Sequence, residues 1–108
     1  MQGIISKGGD DMATYISLLH FTEQGIKNIK QGPDRLDAAK QAYKAAGAEV
    51  KEFYLTMGQY DAIVVSEAPD DETTAKIALS IGALGNVSTE TFRVFQESEY
   101  KRIISALP

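Results

Sequence analysis

Apolar and polar positions along the chain fall into blocks whose repeat switches between the two-residue period of a strand and the three-to-four-residue period of a helix. Tyr15-Ile16-Ser17-Leu18-Leu19-His20-Phe21 is rich in strand formers, so a first strand is predicted over Thr14 to Phe21, with Thr22 placed to cap a helix. Ile26 and Ile29 mark a short helix over Glu23 to Gln31. Gly32-Pro33 interrupts it, and Leu36, Ala39, Tyr43 and Ala46 give a longer helix over Asp34 to Ala46, closed by Gly47. Val50 to Met57 reads as a second strand with Phe53, Leu55 and Met57 on one face and Val50, Tyr54 and Thr56 on the other. Gly58-Gln59 reads as a tight turn into a third strand, Tyr60 to Ala68, which makes the pair a hairpin.

After Pro69, the acidic run Asp70-Asp71-Glu72 suits a helix N-terminus. Ile77, Ile81 and Leu84 form that helix's apolar stripe, and Gly85-Asn86 stops it. Val87 to Phe95 is the fourth strand, and Glu97 to Leu107 is an amphipathic tail helix carrying Tyr100, Ile103, Ile104 and Leu107. The order is β-α-β-β-α-β plus a tail, which predicts an α+β domain of ferredoxin-like type: a four-stranded antiparallel sheet, two helices on one face, and a C-terminal helix.

Ala62-Ile63-Val64-Val65 is a run of apolar residues where a strand with one wet face should alternate, and Leu18-Leu19 repeats the feature in the first strand. Two helices cover one face of such a sheet. The other face is therefore expected to meet a second subunit, as a dimer or higher homo-oligomer, with a tail helix folded back over it as the alternative.

A chain of 108 residues with 44% hydrophobic content suits one domain, taken as residues 12 to 108. Met1 to Asp11, with Gly8-Gly9-Asp10-Asp11, reads as a flexible leader, and Met12 as an alternative start. Eleven basic against fifteen acidic residues, a net charge of −4 and no Lys/Arg cluster argue against nucleic-acid binding. The longest apolar runs are far short of a bilayer span. The sequence has no cysteine, which removes disulfides and thiolate chemistry and is compatible with a cytoplasmic location, the one expected here.

Met57-Gly58-Gln59-Tyr60-Asp61-Ala62-Ile63-Val64-Val65 and its continuation to Asp71 resemble the signature region of the GYD domain family. The resemblance extends to Phe21-Thr22-Glu23-Gln24-Gly25-Ile26 at the first strand-to-helix junction, to Gly47-Ala48-Glu49-Val50 before the second strand, and to Gly85-Asn86-Val87-Ser88-Thr89 before the fourth. It implies a ferredoxin-like domain of the dimeric α/β-barrel type, with no activity attached.

Candidate chemistry is sparse. His20 is the only histidine and the one side chain whose ordinary titration falls near neutral pH. It and Asp61 are the candidate catalytic bases, with Glu67 or Asp61 as orienting carboxylate. The structural readings are a hydrogen-bonded histidine at the edge of the core and an Asp accepting local backbone N–H groups. Tyr54, Tyr60 and Glu67 are the candidate ligand-binding residues, with Tyr15 as a further strand tyrosine. One histidine without cysteine makes a metal site unexpected, and neither a P-loop nor a Gly-x-Gly-x-x-Gly pattern occurs, so no cofactor is expected. The leading function is a self-associating module that binds a small apolar or aromatic molecule between the sheet and its covering. The competing one is a cofactor-free oxygenase or isomerase using His20 or Asp61 as base, an analogy at the level of fold.

Overall fold

The computed structural model describes residues 12–108, and the leader expected over Met1 to Asp11 lies outside the described residues. Four strands, β1 (Ala13–Phe21), β2 (Glu49–Leu55), β3 (Ala62–Ala68) and β4 (Val87–Val94), form one sheet in the order β2-β3-β1-β4, every neighbouring pair antiparallel. The helices are α1 (Glu23–Lys27), α2 (Gly32–Ala45), α3 (Asp71–Ala83) and α4 (Glu97–Ser105), with a 3-10 turn at Ile29–Gln31. This is the ferredoxin-like α+β arrangement. The two strands richest in apolar residues, β1 and β3, take the centre, where a strand has a neighbour on both sides.

Register decides which side chains share a face. Ser66 pairs with Tyr15, Val64 with Ser17 and Ala62 with Leu19, so these residues look toward α2 and α3. The core there is Tyr15, Tyr43, Ala48, Ala68 and Ile77, with Val50 and Ile81 packed against it. Ile16 pairs with Val65 and Phe92, and Leu18 with Ile63 and Glu90, which places these residues on the opposite face.

Burial along β3 alternates strictly: Ala62, Val64, Ser66 and Ala68 are buried, while Ile63, Val65 and Glu67 are half-buried. The apolar run is thus buried on one face within this chain. On the other, Ile63 and Val65 have neighbours across the strands and, among the described residues, no layer above them.

Three local readings need correction. The register of β2 shifts between Val50 and Glu52, and the extra residue, Lys51, turns Val50 onto the same face as Phe53 and Leu55 instead of beside Tyr54. Gly32-Pro33 opens α2 and does not break a helix before it, because proline is tolerated in a first turn whose N–H groups have no intrahelical partner. The connection between β2 and β3 is a loop over residues 56–61, wider than a two-residue turn. Thr56 N–H donates to the Asp61 carbonyl at 2.9 Å and Thr56 Oγ1 to the Tyr60 carbonyl at 2.6 Å, which closes the loop and leaves Tyr60 outside the strand. Gly58 takes φ +140° at its tip, a conformation that side chains with a Cβ rarely adopt.

The tail helix α4 starts with a capping box in which Gln96 N–H donates to Glu99 Oε1 at 2.9 Å. It has no buried residue, and Tyr100, Ile104 and Leu107 are 59%, 47% and 61% exposed, so it does not fold back over the open face. Among the described residues, no helix is long and apolar enough to cross a membrane.

Candidate functional site

β1 ends in His20-Phe21, and the loop before β3 ends in Tyr60-Asp61; the sheet brings these two ends together. The anchor is Asp61. Its backbone N–H donates to the Leu19 carbonyl at 2.8 Å, and its Oδ2 accepts from the Phe21 N–H at 2.9 Å. With the loop pinned there, Tyr60 lies beside the His20 ring, centroids 4.8 Å apart and planes tilted by 32°. The Tyr60 hydroxyl reaches on to Glu90 of β4 and donates to Oε1 at 2.8 Å. That hydrogen bond, followed by desolvation and the Glu90 charge, pushes the Tyr60 phenol above its ordinary pKa, because ionisation would set two negative charges side by side.

The candidate residues therefore separate. His20 and Tyr60 meet, and Glu90 joins them. Asp61 lies next to them in the chain, but one of its carboxylate oxygens holds backbone, as an Asp at a loop end often does. Glu67 sits far along β3, paired with Thr14 on one side and Glu49 on the other. Tyr54 pairs with Ile63 and is 52% exposed on the open face. Tyr15 belongs to the other layer: it is buried, and its hydroxyl donates to Asp71 Oδ1. Among the described residues, no group of three or more His, Asp or Glu side chains is placed to hold a metal ion.

Around this cluster lies an uncovered apolar surface. Ile16, Leu18, Ile63 and Val65 form its centre, and Phe92, 41% exposed, and Val94 extend it along β4. Glu90, Glu67 and Glu52 stand at its margins. A domain that leaves its central strands open in this way presents the kind of patch through which proteins associate.

The helix side holds a second feature, a cleft of about 530 Å³ between α2, α3 and the sheet. Its floor includes Leu19, Phe53 and Val64, and Leu36, Ala39 and Ile81 line its walls. Tyr43, buried at one end, has its phenol pushed up by desolvation, with the Ser66 and Ser17 hydroxyls pulling the other way.

Sequence reasoning missed Glu90 and the cleft. The signal for Glu90 was its place in Thr89-Glu90-Thr91, where alternation puts it opposite the helix layer; its tyrosine partner comes from a distant loop. For the cleft it was the alanine stripe Ala38, Ala39 and Ala42 on α2.

The chain belongs to the GYD domain family, whose pattern matches residues 15–104. It is 32% identical over 81 residues to a protein of Thermus thermophilus described as a glutamine synthetase and cystathionine beta-lyase binding protein; the match covers 74% of this chain and 85% of the relative. Its fold is similar to the crystal structure of TTHA0845 from Thermus thermophilus, with a TM-score of 0.51 and 24% identity over 79% of this chain and 95% of that one.

Proposed function

We propose that this chain is a protein-binding module without catalysis of its own, which pairs with a second copy through the open face of its sheet and in that form docks on a metabolic enzyme. The observation that carries this reading is the uncovered surface of Ile16, Leu18, Ile63, Val65, Phe92 and Val94, left open by a tail helix that projects elsewhere. Burying it against another chain removes apolar area from water at about 25 cal/mol per Å². The relative's description as a binding protein for two enzymes supports docking on other proteins. The separate cleft between α2, α3 and the sheet supports the reading that the chain also takes the small apolar or aromatic molecule expected from the sequence.

The competing oxygenase or isomerase has weaker support. Of its proposed groups, His20 and Tyr60 come together on an open surface, Asp61 is engaged with the Phe21 N–H, and Glu67 is remote. Sedimentation velocity on the wild type and on Val65→Glu tests the leading reading. A dimer that the substitution converts to a folded monomer supports it, and a wild type that stays monomeric at all concentrations sinks it.

A further inference from the structure

Part of the room in the cleft comes from short side chains set among the larger ones that line it. Ala39 and Ala42 of α2 and Ala78 of α3 line it, and Ser17, Thr89 and Thr91 form part of the sheet beneath. Residues of this size cannot reach each other across the gap between two helices lying on a sheet. At about 530 Å³ the space lies in the range of small-molecule sites, roughly 300–1,000 Å³. Two of its hydroxyls are spent on each other: Ser17 Oγ and Thr91 Oγ1 share a hydrogen bond of 2.7 Å. That pair therefore has little left to offer a polar ligand.

Among the described residues that line the cleft, Arg35 is the one charged side chain. Its Nη1 donates to the Asn28 carbonyl at 2.9 Å and its Nη2 to the Gly25 carbonyl at 3.3 Å. Among the described residues, two neutral carbonyls fix the guanidinium and no carboxylate neutralises it. An arginine has five N–H donors, so three remain to meet a planar anion.

From an apolar cleft carrying a single oriented cation, we infer that the site binds an amphipathic monocarboxylate, its hydrocarbon body against Phe53, Ile81 and the alanines and its carboxylate on Arg35. This rests on the reading that the helix-side cleft, rather than the open face, takes the small apolar ligand. One cation matches one negative charge, so dicarboxylates and phosphomonoesters would leave charge unpaired in apolar surroundings.

Isothermal titration of the full chain with decanoate, and with decanol as its uncharged counterpart, tests the inference. The wild type is expected to bind both, decanoate more tightly. Arg35→Met should weaken decanoate roughly ten- to a hundredfold, the worth of a hydrogen bond to a charged group, and leave decanol unchanged. Ala42→Leu, which fills the cleft, should weaken both ligands and raise the melting temperature. If decanol binds but decanoate binds no more tightly, or Arg35→Met has no effect on decanoate, the monocarboxylate assignment is wrong and the apolar cleft stands. If the wild type binds neither ligand, or Ala42→Leu changes neither binding nor melting, both are wrong.

Discussion

The Tyr60 hydroxyl and Glu90 Oε1 are 2.8 Å apart, a contact between a loop residue and a strand two ladders away that closes over the end of β1 where His20 stands. Because Glu90 raises the Tyr60 pKa, the stabilising hydrogen bond is complete below the ordinary tyrosine range and is lost as pH rises through the elevated folded value. In ring-labelled tyrosine spectra, Tyr60 is expected to titrate later than an ordinary tyrosine, and Glu90→Gln to bring it back. An unchanged midpoint in that variant contradicts the assignment.

Asp70 runs in the opposite direction. It caps α3 by accepting from the Thr73 N–H at 2.8 Å, and hydrogen bonds to Thr73, side chain before backbone, hold its carboxyl below the usual range. A lowered carboxylate contributes stability above its unfolded pKa and loses it as pH falls through the folded one. Urea unfolding across the acid range should show wild-type stability declining more steeply than that of Asp70→Asn, whose cap does not titrate in this range.

Gly25 has no room for a side chain. A Cβ built on it would lie 2.0 Å from the Asn86 carbonyl oxygen, at the junction where the Thr22 N–H donates to that same carbonyl at 3.1 Å. Gly25→Ala must push the start of α1 away from the α3–β4 turn, and denaturant unfolding should show a loss of about 1–3 kcal/mol. Gly58→Ala tests something different, since among the described residues nothing lies within 4 Å of its would-be Cβ and the backbone conformation at φ +140° is what opposes the change. A loss of roughly 1–3 kcal/mol is expected there. It should fall on the loop that carries Tyr60, so Gly58→Ala should also weaken the Tyr60–Glu90 contact, read as a lowered Tyr60 titration midpoint.

The fold was legible because its signals are local. Val87 to Phe95 is rich in β-branched and aromatic strand formers, Asp70-Asp71-Glu72 announces a helix start, and the apolar Ala62-to-Val65 run marks a central strand. What escaped depends on pairing between distant segments. The bulge at Lys51 is defined by its partners on β3, so the sequence of β2 alone assigned Val50 to the wrong face. Tyr60 has high strand propensity, yet Thr56 captures its carbonyl and holds it in a loop. Proline at the start of α2 carries the same local signal as a helix breaker.

The site was less legible for the same reason. His20 and Asp61 stood out by residue type, and type does not say that one oxygen of Asp61 is committed to the Phe21 N–H while Glu90 takes the Tyr60 hydroxyl. Glu67 looked equivalent to Asp61 in the sequence, six positions along the same segment. The length of a strand separates them.

The central claim is that the open face of the sheet meets a second copy of this chain. Isotope-filtered Overhauser spectra on an equimolar mixture of labelled and unlabelled protein test it most directly. Contacts between chains are expected at the methyl groups of Ile16, Leu18, Ile63 and Val65, which look away from α2 and α3. Intermolecular contacts confined to other residues, or none at concentrations where the wild type should be dimeric, would contradict it.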